Sequence, residues 1–200
     1  MRLQQKLAEM RQREEIDDQL LLLEHPPVIT LGRGGDVANL LASPDVLRRE
    51  RVRYFETTRG GDITYHGPGQ IVGYPIVHLG EGSRDVRKYV TKLEEVLIRT
   101  VAEYGINAAR VDGKRGIWVG NNKIAAIGVR IRHWVSFHGI SINVEPDLSH
   151  YAGIVPCGIA DHGVTSLVDL GLPATLADLD AALAETFEEV FGEVRPSAAA

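Results

Sequence analysis

Arg59-Gly60-Gly61-Asp62-Ile63-Thr64-Tyr65-His66-Gly67-Pro68-Gly69-Gln70, running on into Ile71-Val72-Gly73-Tyr74-Pro75, is the stretch on which the reading of this chain turns. Four glycines and a proline in twelve residues exclude a helix or an ordinary strand, because glycine raises the entropy cost of ordering and proline removes a donor. The stretch is expected to be a shaped loop. Bare backbone there can approach a ligand closely, and Arg59, Thr64, Tyr65, His66 and Gln70 add a high density of hydrogen-bonding groups. Loops without function are usually shorter, so this one is read as a binding loop.

Outward from the loop, Tyr54 to Thr58 is expected as the strand entering it and Ile71 to Leu79 as the strand leaving, with Pro75 marking an edge or a bulge. Upstream, Leu3, Leu7 and Met10 fall at helical spacing. Leu20 to Leu23 and Val28 to Gly32 read as two buried strand pieces separated by Pro26-Pro27. Ser43-Pro44-Asp45 marks a turn or a short helix start. Downstream, Val86, Tyr89, Val90, Leu93, Val96, Leu97, Val101 and Tyr104 make a helix between Ser83 and Gly105. From Ala108 to Val144 short strands and turns alternate as a β-meander. Leu176 to Phe191 closes the pattern as a helix behind Thr175 as N-cap, with Asp178 three residues on.

Two hundred residues of 44% hydrophobic content suffice for one domain over residues 1–200, with 195–200 expected as a frayed tail. A net charge of −5 argues against a nucleic-acid partner, whose phosphates call for a basic surface. No apolar run is long enough for a membrane span and no secretory signal opens the chain, so a cytoplasmic protein is expected. Arg48, Arg49, Arg51 and Arg53, and Arg84 to Lys92 on the long helix, are the candidate docking patches for an acidic partner.

Cys157 is the single cysteine, so its chemistry is that of a thiol. Pro156 before it fixes the backbone direction and Gly158 after it leaves an N–H unobstructed. Lys123 opens an otherwise apolar strand, where an ammonium is costly unless it lies at the strand end or has a partner. It is the candidate cation to stabilise a Cys157 thiolate and, once neutral, to act as general base. None of the seven histidines falls in a metal-binding spacing, so no metal is expected. His66 and His138 are read as hydrogen-bonding groups that line a site. Neither nucleotide-binding glycine fingerprint occurs.

The run R-G-G-D-I-T-Y-H-G-P-G-Q-I-V-G-Y-P resembles the signature loop of the lipoyl(octanoyl) transferases of lipoate synthesis. So do K-I-A-A-I-G-V-R-I at 123–131, F-H-G-I-S-I-N at 137–143 and P-C-G-I at 156–159. The resemblance covers about Leu20 to Leu170. It implies an α/β (α+β) fold, with mixed and antiparallel sheets packed against helices as in biotin- and lipoate-protein ligases. It implies octanoyl transfer from acyl carrier protein to a lysine of lipoyl domains of 2-oxoacid dehydrogenases or of glycine-cleavage H protein, with no cofactor and no membrane partner. Cys157 matches the acyl-accepting cysteine and Lys123 its activating lysine. Arg59, Gly60, Gly61, Asp62, Ile63, Thr64, Tyr65 and His66, then Ala126, Ile127 and Gly128, then Gly139, Ile140 and Ser141 match the substrate-binding segments. One departure is a helix directly after Met1 where the family pattern begins with a further strand, so either a truncated start or a sheet completed differently is expected. The competing readings are an ATP-dependent lipoate or biotin ligase, and a non-catalytic acyl-carrier-binding protein.

Overall fold

The computed structural model describes residues 2–156, 162–192 and 195–196. In chain order the elements are α1 (Arg2–Gln12), β1 (Gln19–Leu23), β2 (Val28–Leu31), α2 (Pro44–Arg49), β3 (Arg53–Glu56), β4 (Ile63–His66) and β5 (Gln70–Ile76). There follow α3 (Val86–Ala102), β6 (Ala109–Val111), β7 (Lys114–Val119), β8 (Asn122–Arg132), β9 (Val135–Asn143), β10 (Gly163–Val164), α4 (Leu176–Phe191) and β11 (Arg195–Pro196). Among the described residues, the larger sheet has the order β11-β1-β5-β9-β8-β7-β6, with β10 beside β8. The smaller sheet is β3-β2-β4. This is the mixed α/β architecture expected, and β6 to β9 form the meander as antiparallel neighbours.

One face of the large sheet is buried under α3 and α4. Leu93, Val96, Leu97 and Val101 of α3 meet Leu179, Leu183 and Phe187 of α4, and all are shut off from solvent together with Ile117, Ile124 and Ile142 of the sheet. Asp85, not Ser83, caps α3, since its carboxylate accepts from the Arg87 and Lys88 amides. Thr175 caps α4 as expected, accepting from the Asp178 amide at 3.2 Å. A second core, built from Ile29, Leu31, Ile63, Tyr65 and Ile154, lies under the small sheet.

Three expectations need correction. Residues 59–70 are not one loop, because Ile63–His66 forms β4, antiparallel to β2. The glycines flank this segment at 60, 61, 67 and 69, and the four residues between them alternate apolar and polar with β-branched members, as a strand requires. Second, the buried stripe of α1 runs through Gln4, Leu7 and Ala8, leaving Leu3 at 55% exposure. Third, the tail does not begin free at 195, since Arg195 and Pro196 pair in parallel with Gln19 and Leu20. Their backbones cover the outer edge of β1, so the sheet edge is completed by the end of the chain.

Pro75 sits inside the sheet, and the ladder shows its effect. β5 pairs with β9 from Gln70↔Asn143 to Gly73↔Ile140. The same register returns only at the bridge His78↔Val135, which puts Pro75 across from His138. Proline has no N–H to give, and His138 takes a left-handed φ of 58°. The displaced His138 amide is satisfied from outside the sheet, donating to Gln4 Oε1 of α1 at 2.8 Å. That bond explains why a glutamine occupies the buried face of a helix.

β1 and β2 belong to different sheets although only Glu24-His25-Pro26-Pro27 lies between them. Glu24 Oε1 accepts from the Gly69 amide at 2.7 Å. The Tyr74 hydroxyl, its pKa pushed up to about 12 by burial, is hydrogen-bonded to His25 Nε2 at 2.5 Å. The connection between the sheets is therefore fastened to β5 and to the residue that leads into it.

Candidate active site

A cavity of about 730 Å³ opens between the two sheets. Its floor is the face of the large sheet turned away from α3 and α4. In β5, Ile71 enters the helix-side core while Val72 and Tyr74 line the cavity, as period-two alternation dictates. The register then sets Ala126 beside Ser141, Gly128 beside Gly139, and Val72 on the other side of Ser141. This gives a floor of small residues. At Gly139 the backbones come so close that an added Cβ would lie 1.9 Å from the Gly73 carbonyl oxygen.

Lys123 stands at one end of this floor, 8% exposed, and its orientation is set by an irregularity in the ladder. β7 and β8 pair as Ile117↔Ala125 and then Trp118↔Lys123, so Ile124 is an extra residue. Ile124 and Ala125 both enter the helix-side core. Lys123 therefore faces the cavity, where regular alternation would have sent it under the helices, and a bulge commonly re-aims a side chain in this way. The reading of Lys123 as an exposed strand end does not hold. After the segment carrying Cys157, β10 returns beside the same residue, pairing Val164 with Lys123. Cys157 itself lies outside the described residues. Pro156 before that segment and Val164 after it both line the cavity.

The glycine segment forms the opposite wall. Arg59 is buried and donates through Nη2 to the Thr30 carbonyl at 2.6 Å and through Nε to Thr30 Oγ1 at 3.1 Å. Its side chain lies over Gly128, where a Cβ would stand 3.1 Å from Arg59 Cδ. The Gly60 amide donates to the Val129 carbonyl at 2.9 Å, joining this wall to the floor. Gly61, with φ of 83°, has the left-handed backbone that glycine adopts without strain. Asp62 accepts from Ile63 N and Asn39 Nδ2, at 2.7 and 2.6 Å, and holds the loop before α2 in place.

In β4 the buried members are Ile63 and Tyr65, with Thr64 and His66 lining the cavity. Tyr65 packs within the second core, tilted against His150 and edge-on to Tyr151, at 4.8 and 5.6 Å between ring centres, so its side chain faces away from the site. Ile127 and Ile140 belong to the helix-side core and also line the cavity. His66 Nδ1 donates to Gln70 Oε1 at 2.5 Å. Burial lowers its pKa to about 4, against the raising effect of that bond. His138 is also lowered to about 4, by burial and then by the Arg59 charge, and its Nε2 meets Thr58 Oγ1 at 3.1 Å. Both rings are neutral at physiological pH, consistent with hydrogen bonding rather than charge.

The sequence reading missed several neighbours. Gln4, His25 and Tyr74 line the cavity. The alternation of β5 around Val72 is the signal that could have found Tyr74, whereas nothing local marks Gln4. Arg53, Lys114 and Arg115 add positive charge to the lining. Of the expected docking patches, Arg48 is paired with Asp45 and Arg49 with Glu50, while Arg84 lies over Trp134 and Lys92 over Phe191. Among the described residues, no helix is long and apolar enough to cross a membrane.

The profile of the lipoyl protein ligase A/B catalytic domain matches residues 1–188. An octanoyltransferase of Rhodospirillum rubrum is 51% identical over 192 residues, covering 94% of this chain and 86% of its own. That of Solibacter usitatus is 48% identical over 199 residues, covering 99% and 90%. Among solved structures, lipoate-protein ligase A bound with ATP superposes with a TM-score of 0.77 at 16% identity, covering 96% of this chain and 82% of that one. The bipartite lipoate protein ligase of Thermoplasma acidophilum gives 0.75 at 16%, covering 98% and 82%. The structural likeness speaks for the fold and the sequence identity for the branch: this chain belongs to the lipoyl protein ligase A/B catalytic-domain family and, within it, is an acyltransferase of the octanoyltransferase type.

Proposed function

We propose that the protein moves octanoyl from octanoyl-acyl carrier protein to a lysine of lipoyl domains or of glycine-cleavage H protein through a thioester on Cys157. The observation that supports this reading is Lys123, buried in the lining of a cavity floored by Ala126, Gly128, Gly139 and Ser141, with Val164 paired to it and Pro156 in the same lining. In the first half-reaction the Cys157 thiolate attacks the donor carbonyl, a tetrahedral oxyanion forms and collapses, and the carrier's sulfur leaves as a thiol, taking the proton of the Lys123 ammonium. One thioester replaces another, so no nucleotide is needed. In the second, the acceptor's amine attacks the enzyme thioester, the C–S bond breaks and an amide forms. Lys123, as the free amine, takes the proton that the attacking nitrogen loses. The apolar chain is recognised by burial on the small-residue floor, at about 0.8 kcal/mol per methylene. Arg59, Thr64 and His66 form the wall opposite, and Arg53, Lys114 and Arg115 suit an acidic carrier.

Intact-mass measurement after incubation with octanoyl-acyl carrier protein, without ATP or acceptor, tests this reading. Wild type is expected to gain one hydroxylamine-labile octanoyl group on Cys157, and Cys157→Ser to gain no such labile adduct. Wild type that gains no mass, yet modifies an acceptor once ATP is supplied, would replace this mechanism with an acyl-adenylate one. Binding without modification under either condition would leave a carrier-binding protein.

A further inference from the structure

A chain of buried side-chain amides ends on His66 and fixes which of its ring nitrogens carries the proton. Asn143 Nδ2 donates to the Thr165 carbonyl at 2.9 Å, and a carbonyl oxygen can only accept. The other amide atom of Asn143 is therefore its oxygen, to which Gln70 Nε2 donates at 2.7 Å. The same Gln70 nitrogen faces two further oxygens, the Tyr151 hydroxyl at 3.2 Å and the Tyr65 carbonyl at 3.5 Å. Gln70 is thus left with its oxygen toward His66, and Nδ1, 2.5 Å away, is the protonated ring nitrogen. Gln70, Asn143 and Thr165 are all buried, so turning either amide over would set N–H against N–H or oxygen against oxygen where no water relieves it. Burial keeps the ring neutral, so Nε2 carries a lone pair. His66 lines the cavity, and among the described residues Nε2 has no hydrogen-bond partner. The network lies at the Lys123 end of the floor. Asn143 stands one residue beyond the Ala125↔Ile142 pair, toward Lys123, and the Thr165 amide donates to the Lys123 carbonyl at 3.0 Å.

We propose that Gln70, turned by Asn143, is a positioning residue that holds His66 as the Nδ1–H tautomer, so that Nε2 accepts a hydrogen bond from the attacking lysine amine of the lipoyl acceptor. The inference rests on the octanoyl transfer proposed above and adds to it the group that orients the second nucleophile. An amine attacks through its lone pair, so its N–H bonds point away from the carbonyl carbon it approaches. A fixed acceptor that takes one of those N–H bonds aims the lone pair. The opposite tautomer would set an N–H at Nε2 against the amine, and could hold it only through the lone pair that the attack needs. No proton passes to His66. The C–N bond forms, the C–S bond breaks, and the proton that the nitrogen loses goes to Lys123 as before. The first half-reaction brings a thioester, which has no N–H at the reacting centre, so the role belongs to the second.

The tautomer is read directly by NMR at neutral pH, from long-range proton–nitrogen correlations of protein carrying isotopically labelled histidine, with the His66 signals identified by their absence in His66→Asn. A pyrrole-type shift for Nδ1 and a pyridine-type shift for Nε2 are expected, and the reverse pattern overturns the proposal. Gln70→Met keeps the length of the side chain without its amide and should release His66 to the Nε2–H form. An unchanged His66 pattern in that variant overturns the role of Gln70. Single-turnover kinetics then separates the half-reactions. His66→Asn can still donate to Gln70 but has no acceptor where Nε2 stood, so it should slow transfer from the octanoyl-enzyme to a lipoyl domain on the order of tenfold more than it slows octanoylation by octanoyl-acyl carrier protein. Equal slowing of both steps would make His66 structural, and slowing confined to octanoylation would assign its bond to an amide of the carrier's arm; either result overturns the proposal. The wild-type spectrum and His66→Asn carry the test if Gln70→Met does not fold. Wild type that takes no octanoyl from the carrier overturns the functional reading, and the role toward the lysine amine falls with it, whatever the tautomer.

Discussion

Gln4 shows how a single side chain can be dictated by a residue far from it in the chain. Pro75 removes a donor from β5, the ladder lapses opposite His138, and the left-handed His138 turns its amide toward α1. Replacing Gln4 by leucine leaves that buried N–H without its acceptor, at a cost of about 2 kcal/mol. For a chain of this size Tm should fall by about 4–8 °C, and scanning calorimetry would read it. Gln5→Leu on the exposed side of the same helix should leave Tm unchanged. Equal Tm for Gln4→Leu and wild type would show that the amide finds another partner. Nothing within α1 announces this role. A glutamine between Leu3 and Gln5 reads as surface, and its buried partner is visible only once β5 and β9 are side by side.

The elements on the helix side were the most legible, because each carries its own signal. The apolar stripe of α3, the Thr175 cap of α4 and the turn-punctuated meander are local patterns, and local patterns survive folding. Thr175→Ala removes the acceptor of the Asp178 amide at the α4 N-terminus. It should cost about 1 kcal/mol and lower Tm by about 2–4 °C, while octanoyl transfer at 25 °C stays within error, since α4 packs on the face opposite the cavity. A loss of transfer without a loss of Tm would contradict that separation. The site was legible as residue types more than as orientations. Arg59, His66, Gly128 and Ser141 line the same cavity. Tyr65 turns away because β4 alternates, and Lys123 turns inward because β8 does not. Strand parity and a one-residue bulge are set by pairing with other strands, so no window of sequence contains them.

At the scale of the whole molecule, His66 and His138 make stability depend on pH. Both have folded-state pKa values of about 4, below the unfolded value near 6.5. Between these limits the unfolded chain binds more protons, so stability rises with pH. It should be complete above about pH 7 and fall progressively as pH drops from 6.5 toward 4. Urea midpoints across pH 4.5–7.5 should show this decline. His66→Asn, whose amide can still donate to Gln70, should flatten it, and an unchanged slope would remove His66 from the account. The four residues between β1 and β2 carry a different consequence for the molecule as a whole. Two jaws joined by so short a bridge, with Glu24 bolted to Gly69 and His25 to Tyr74 of β5, act as a fixed gauge rather than a hinge. Such a gauge sorts by what lines its gap. Relatives that prefer longer or shorter acyl chains should therefore differ in the side chains at Ala126, Gly128, Gly139 and Ser141, and keep the length of the bridge.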